Sequence, residues 1–372
     1  MTLNLLRFFL VLFLSSSFLS CERRKGVEGV KSELKKVTSE EIFNKYQDAV
    51  VLIKHSYVYK VNINGTDYFF RSFDDTTGEI SDFISIEEAE QKPNVSWGTG
   101  FFIDSSGKVL TNRHVVDVRP SKEQAEVVLQ ALKSKLITYL KNLQKDQNAR
   151  EKSLKQLQYI LDQELYNAYE YSDLTTDIER IYQNYQQEED QISNLTNFID
   201  TFEKQENFVT KTSLQFGIFL NNQKSQNNLQ DYIKYKSLKI SDDPNVDLAL
   251  IEPINLNDFN GKKITAANMS KIDSVSIRPL NMTQKLTLIG YNNGANMGVT
   301  ENGIKPQLTE GAVSQITDRN KVMYTIPVLP GSSGSPVFDE YGRVILVNFA
   351  GMTGTQGFNY GIQPEKIKIF LR

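Results

Sequence analysis

Three side chains in this sequence have the types and surroundings needed to break an acyl bond without a metal or cofactor. Ser333 lies in Leu329-Pro330-Gly331-Ser332-Ser333-Gly334-Ser335-Pro336, where flanking glycines let the main chain bend sharply and approach a substrate closely. A hydroxyl is a weak nucleophile, so it needs a base to take its proton and donors to hold the oxyanion it creates. The N–H groups of Gly331 and Ser333 are the candidate donors. His114, in Thr111-Asn112-Arg113-His114-Val115-Val116, falls just past a strand end, where an imidazole reaches across a cleft. Asp247 stands at the mouth of the apolar run Leu248-Ala249-Leu250-Ile251; buried there it must find donors, and an imidazole N–H is one. His114, Asp247 and Ser333 thus supply base, orienting acid and nucleophile in that chain order. The other histidine, His55, follows a buried strand with no accompanying turn chemistry and is read as structural.

The elements that must position these groups are strands. A Gly/Ser run in isolation is a flexible connector, but this one is clamped between the β-prone runs Lys321 to Val328 and Val344 to Val347. Gly98 to Ile103 and Lys108 to Thr111 read as two strands joined by a turn at Ser105-Ser106-Gly107. Ala49 to Ile53, Leu214 to Leu220, Tyr232 to Ile240, Leu286 to Ile289 and Gly311 to Ile316 read as further strands, and Tyr57 to Asn94 as hairpins or loops. Thr38-Ser39-Glu40-Glu41 spells a capping box that opens a helix through Tyr46. Glu365 to Leu371 reads as a closing helix.

One stretch differs from all of this: from Ser121 to Phe216 there is not one glycine or proline. That is helix text. Ile178, Ile181, Tyr185, Ile192, Leu195, Ile199 and Phe202 follow a heptad broken only at Glu188. Leu129, Leu132, Leu136, Tyr139 and Leu143 begin another, which resumes at Leu154, Leu157 and Leu161 after an eleven-residue step of the kind called a stutter. Both ends must return to one body, so the spacing predicts an antiparallel coiled-coil hairpin. Its turn is expected at Tyr171 to Asp177, with unequal arms and a bend near Asp146-Gln147-Asn148.

Composition narrows the function classes. The 372 residues are 40% hydrophobic and 23% charged, with a net charge of −3. A mildly acidic surface attracts neither nucleic acid nor an anionic membrane, so no nucleic-acid partner is expected. Arg7, the apolar run Phe8 to Leu14 and Phe18-Leu19-Ser20 form an export signal ahead of Cys21, the single cysteine. Residues 18–21 resemble the bacterial lipoprotein lipobox, with Phe18 in place of the usual leucine, which implies lipidation of Cys21, a lipid anchor and residence in the cell envelope. The mature chain then has no disulfide, and with only two histidines it offers no zinc site. Neither a metal nor a cofactor is expected.

The three motifs in order, Gly98 to Val116, Asp247 to Ile251 and Gly331 to Pro336, resemble the trypsin-like serine peptidases, in particular their high-temperature-requirement (HtrA) branch, over about residues 47–116 and 212–372. The resemblance implies a mainly β fold of two six-stranded barrels with the triad in the cleft between them. It implies a protein or peptide substrate and hydrolysis through an acyl-enzyme. His114 would take the proton from Ser333 Oγ, Asp247 would hold the imidazole tautomer, and the Gly331 and Ser333 amides would bind the oxyanion. Family position places Pro327 near the floor of a substrate pocket, with Asn348, Phe349 and Ala350 near its walls. No acid is there, which argues against Arg or Lys and favours small or medium apolar side chains.

This sequence departs from the family in three places. Ser335 stands where glycine is usual, no residues remain for a PDZ domain before Arg372, and the helical hairpin is inserted between His114 and Asp247. The expected organisation is a signal peptide (1–20), a tether (21–37), the first part of the peptidase domain (38–120), the helical insertion (121–207) and the rest of the peptidase domain (208–372). The insertion is expected to take a protein partner or to self-associate. The competing reading is an inactive trypsin-fold scaffold that binds a partner through the hairpin, disfavoured because a scaffold has no need of all three triad residues.

Overall fold

The computed structural model describes residues 35–372 apart from 64, 118–119, 163–167, 205–206, 225–230, 244, 260–279, 317–319 and 352–357. The export segment, Cys21 and most of the tether lie outside the described residues.

Strands β1 (Val50–Ile63), β2 (Thr66–Phe70), β3 (Phe83–Ile84), β4 (Asn94–Phe102), β5 (Val109–Thr111), β6 (Phe208–Phe219), β7 (Ile233–Ile240) and β8 (Ala249–Pro253) form one antiparallel sheet. Its order is β3-β2-β1-β4-β5-β8-β7-β6, and β1 also pairs with β6. The ring β1-β4-β5-β8-β7-β6 is therefore a closed six-stranded barrel, filled by Val51, Ile53, Phe102, Val109, Ile218 and Ile251. Strands β9 (Lys285–Gly290), β12 (Gln307–Ile316), β13 (Lys321–Tyr324), β14 (Pro336–Phe338), β15 (Val344–Gly351) and β16 (Asn359–Ile362) close a second barrel, while the short β10 (Val299–Thr300) and β11 (Gly303–Ile304) pair outside it. In β13 the inward residues Val322 and Tyr324 alternate with half-buried Lys321 and Met323, as a two-residue period requires. A third cluster, including Leu52, Phe101, Phe219, Ile289, Tyr291, Phe338 and Val347, draws on strands of both barrels and fixes one against the other.

The capping box at Thr38 forms as read: its hydroxyl accepts from Glu41 N–H, the Glu41 carboxylate accepts from Thr38 N–H, and helix α1 (Ser39–Tyr46) follows. α1 precedes the first barrel in sequence but seats on the second, with Tyr46 stacked on Phe338 at 4.8 Å. Strand β1 does not stop at Ile53. It runs ten residues further as a ribbon between β2 and the start of β6, in a stretch expected to be loops or hairpins, and the short helix α2 (Ile86–Gln91) follows β3.

After the one-turn helix α3 (Arg113–Val116) comes the hairpin, α4 (Lys122–Asp162) and α5 (Ala168–Lys204). Ion pairs Lys133–Glu203 and Arg150–Glu188, each 2.7 Å, make the arms antiparallel. The expected turn is corrected, since Tyr171 to Asp177 are helical and lie within α5. The arms are nearly equal, α4 is continuous through Asp146 to Asn148, and it extends about 60 Å. The heptad interruptions also resolve. Glu188 is a seam residue that meets Arg150, and half-buried Gln147 and Arg150 fill the eleven-residue step at heptad spacing. Tyr139 points outward and Leu140 takes its place in the seam. At the root, Val128, Leu132 and Phe202 pack with Val61, Ile63, Phe70 and Val209 of the ribbon, so the insertion shares a core with the strands that carry it. The short α6 (Ala295–Gly298) and the closing α7 (Pro364–Leu371) complete the element order.

Candidate active site

The segment around Ser333 is two consecutive tight turns. Ser332 N–H donates to Leu329 C=O and Ser335 N–H to Ser332 C=O, both at 3.0 Å. Each turn has glycine at its third position, Gly331 with φ +102° and Gly334 with φ +89°. A reverse turn with positive φ there is type II, and Pro330 presets the second position of the first one. Glycine is required at both places for space as well: a Cβ on Gly331 would collide with the main chain of Tyr291 and Gly294, and one on Gly334 with Thr99.

Thr99, fully buried between Gly98 and Gly100, ties the turns to the first barrel. Its N–H donates to Ser333 C=O and its hydroxyl to Gly331 C=O, both at 2.8 Å, while the hydroxyl accepts from Tyr291 N–H at 3.0 Å. Of the three serines, Ser332 and Ser335 are buried and Ser333 is half-buried, which favours Ser333 as the one that meets a substrate. Among the described residues the N–H groups of Gly331 and Ser333 donate to no protein acceptor. They are two free donors beside one hydroxyl, the arrangement an oxyanion needs.

His114 is in α3, directly after β5. Its Nδ1 lies 2.5 Å from Asp247 Oδ2, and its main-chain N–H donates to Asp247 Oδ1 at 3.0 Å. Both carboxylate oxygens are thereby used on one residue. With Asp247 ionised, Nδ1 carries the proton and Nε2 is left as the acceptor, the tautomer a base needs. Asn112 Nδ2 donates to Asp247 C=O at 2.7 Å and fixes the strand end that carries the acid. Gly334 abuts Thr111 and Asn112, so the Ser333 turn lies against the entry to α3. His114 and Asp247 are in contact; no hydrogen bond joins Ser333 Oγ to His114 among the described residues, and in substrate-free sites such bonds are commonly long.

His55 sits behind this helix. It is 4% exposed, with Nε2 3.0 Å from Ser213 Oγ and Nδ1 3.3 Å from the carbonyl of Val115. Burial pushes its pKa down to about 4, so it is a neutral brace for α3.

The four residues selected for a substrate pocket are not equivalent. Pro327 is exposed ahead of the first turn, and Phe349 is half-buried with Tyr360 at 6.3 Å and Lys321 Nζ 5.2 Å from its ring. The side chain of Ala350 lies outside the described residues. Asn348 is 1% exposed, and its amide donates to Ser332 C=O at 2.9 Å and accepts from Tyr324 Oη at 2.5 Å. That side chain is committed to the turn and has no face left for a substrate. Sequence reasoning missed Thr99, Tyr324 and the turn-holding role of Asn348; only Thr99, framed by two glycines in a quoted motif, carried a local signal. Among the described residues no three His, Cys, Asp or Glu side chains converge on a point that would hold a metal ion.

Residues 203–345, which include Asp247 and Ser333, match the family model of the trypsin-like peptidase domain. No curated protein sequence matches the chain. Among solved structures, the chain is similar to the Rv3671c protease of M. tuberculosis in its active form, with 12% identity and a TM-score of 0.40 over 89% of this chain and 82% of that one. It is also similar to the serine endoprotease of Yersinia pestis, with 12% identity and a TM-score of 0.39 over 91% of this chain and 66% of that one. The family match takes in β6 to β14, so it falls on strands of both barrels.

Proposed function

We propose that the chain is a serine endopeptidase acting through His114, Asp247 and Ser333. The contact that carries the reading is the His114–Asp247 pair, made twice over by side chain and main chain, with the Ser333 turn packed against the same strand end. Ser333 Oγ attacks the scissile carbonyl carbon while its proton passes to His114 Nε2, and the carbonyl oxygen becomes an oxyanion between the Gly331 and Ser333 N–H groups. Collapse breaks the C–N bond, and the leaving amine takes the proton from His114. Water then repeats the sequence on the acyl-enzyme, with His114 again as base, and returns the free serine. No other group is needed to balance either half.

The same reading places the enzyme in the bacterial cell envelope, tethered through lipid on Cys21, which the apolar run ahead of that cysteine supports. The pocket takes a small or medium apolar side chain, and the hairpin serves recognition or assembly rather than chemistry. Hydrolysis of fluorescein-labelled casein by the mature chain tests the activity. It should be lost in Ser333→Ala and in His114→Ala and kept in His55→Gln. Casein cleavage that survives Ser333→Ala would remove the assignment.

A further inference from the structure

One carbonyl beside the nucleophile is bonded far beyond the needs of its turn. Ser332 C=O accepts from Ser335 N–H at 3.0 Å, from Ser335 Oγ at 2.6 Å and from Asn348 Nδ2 at 2.9 Å. A carbonyl oxygen has two lone pairs, and three donors saturate it. All three donors come from side chains or main chain that are buried, Ser335 at 0% and Asn348 at 1% exposure. The neighbouring carbonyls that face the first barrel, those of Gly331 and Ser333, are held differently, by Thr99 alone.

The consequence follows from the planarity of the peptide unit. In a trans peptide the C=O and the following N–H point in opposite directions. Holding Ser332 C=O from behind therefore directs the Ser333 N–H forward, and that N–H has no protein acceptor among the described residues. Asn348 is itself fixed. Tyr324 Oη donates to its Oδ1 at 2.5 Å, which leaves Nδ2 as the end that faces Ser332. Tyr324 is fully buried and burial holds its pKa well above the ordinary phenol value, so it remains a donor at any pH the protein meets. The main chain repeats the pattern, with Gly334 N–H donating to Asn348 C=O at 2.8 Å and Asn348 N–H to Ser335 C=O at 2.9 Å.

Ser335 has a matching accommodation on another strand. A Cβ on Gly290 would collide with Ser335 Oγ, so the hydroxyl occupies space that a glycine in β9 leaves open. Its small size and its hydrogen bond both require that gap.

We propose that Ser335 and Asn348, with Tyr324 behind them, are positioning residues that keep the Ser333 amide aimed into the cleft, so that one half of the oxyanion site is set before substrate arrives. The proposal rests on the reading of Ser333 as nucleophile. Such residues act on the transition state, where the negative oxygen exists, and leave ground-state binding alone.

The test is steady-state kinetics of the full-length mature protein on an Ala-Ala-Val p-nitroanilide, together with inhibition by the matching peptidyl boronate, whose tetrahedral adduct puts an oxygen in the oxyanion position. Ser335→Ala and Tyr324→Phe each remove one hydroxyl and should lower kcat about 3- to 10-fold, and Asn348→Ala about 10- to 100-fold, against the larger loss seen when an oxyanion donor itself is removed. KM should stay within about twofold, and boronate affinity should fall in proportion to kcat/KM. Gly290→Ala, whose added methyl meets the turn at Ser335, should reproduce the direction of the Ser335→Ala effect. If Asn348→Ala does not fold, Tyr324→Phe carries the same comparison, since it deletes a single atom. Unchanged kcat, or a rise in KM with boronate affinity preserved, would overturn the proposal. If the unaltered protein neither cleaves the anilide nor takes a fluorophosphonate label on Ser333, the nucleophile reading fails first and the proposal with it; a labelled Ser333 with kcat intact in the variants sinks the proposal alone.

Discussion

The barrel cleft and the helical hairpin are held together in opposite ways. The hairpin is built from local periodicity, with seam residues every three or four positions and cross-arm pairs such as Arg150–Glu188 at 2.7 Å. In the cleft, one carbonyl of Ser332 is reached from Ser335 and Asn348, and Thr99 reaches Gly331 from another barrel. Damage should therefore spread differently. A change in the outer hairpin stays in the hairpin, whereas a change at the cleft alters chemistry before it alters stability.

The largest expected effect is on the chemical side. Asp247→Asn leaves an amide whose N–H favours the wrong imidazole tautomer, and kcat should drop by about 10⁴-fold with the thermal midpoint little moved. Steady-state kinetics with a melting curve on the same sample measures both. A parallel loss of midpoint and activity would mean that Asp247 is chiefly structural and the contrast between regions is blurred.

Next is a pair of deletions that locates the border between the regions. Replacing 137–194 by a short Gly/Ser linker keeps Val128, Leu132 and Phe202 in place and should spare small-peptide cleavage. Removing 121–207 strips these buried side chains from the ribbon core. That loss, at roughly 1.5–3 kcal/mol for each large apolar group, is on the order of 5–10 kcal/mol, comparable with the whole stability of a domain. Urea melts of both proteins decide it. Equal stability would show that the root is not part of the body.

His55 offers a smaller test on the border between the two. Its folded pKa of about 4 lies below the ordinary value of 6.5. From pH 6.5 down to 4 the unfolded chain binds a proton that the folded one refuses, so stability falls with pH across that window, on the order of 3 kcal/mol in all. Above pH 6.5 the group contributes no slope. Denaturant melts from pH 7 to 4 should show the decline, and His55→Gln should flatten it; an unchanged slope would assign the acid sensitivity elsewhere.

The smallest effect is inside the hairpin. Arg150→Ala leaves Glu188, 13% exposed on its side chain, without its partner and should cost about 1–2 kcal/mol. The double change to Leu at both positions should restore or exceed the original helix melting temperature, since a packed apolar seam needs no ion pair. Circular dichroism melts check both, and peptide cleavage should be indifferent to either.

What was legible in the sequence divides along the same line. The α5 seam could be read residue by residue up to the apparent break at Glu188, because a helix face repeats locally. The partner of Glu188 could not, as Arg150 looks like any exposed charge until the arms are set in register. The turn was misplaced for a related reason: Ser172, Asp173 and Thr175 are good cap residues, but they cost little inside a helix, and cross-arm packing outweighed them. In the barrels, His114, Asp247 and Ser333 could be proposed from the sequence because each sits in a distinctive strand-end motif. Their supports were not. Gly290 accommodates Ser335 from 45 positions away in sequence, and Tyr324 orients an Asn348 that family position had put on a pocket wall. No spacing rule links residues that meet only when a barrel closes.

The most direct test of the central claim is labelling with a fluorophosphonate probe, followed by mass spectrometry of the modified peptide. A single adduct is expected on Ser333, formed in the native protein, absent after urea unfolding, absent in Ser333→Ala and strongly slowed in His114→Ala. An adduct on Ser332 or Ser335, or one that persists in Ser333→Ala, would show that another residue is the nucleophile and that the cleft works in a different way.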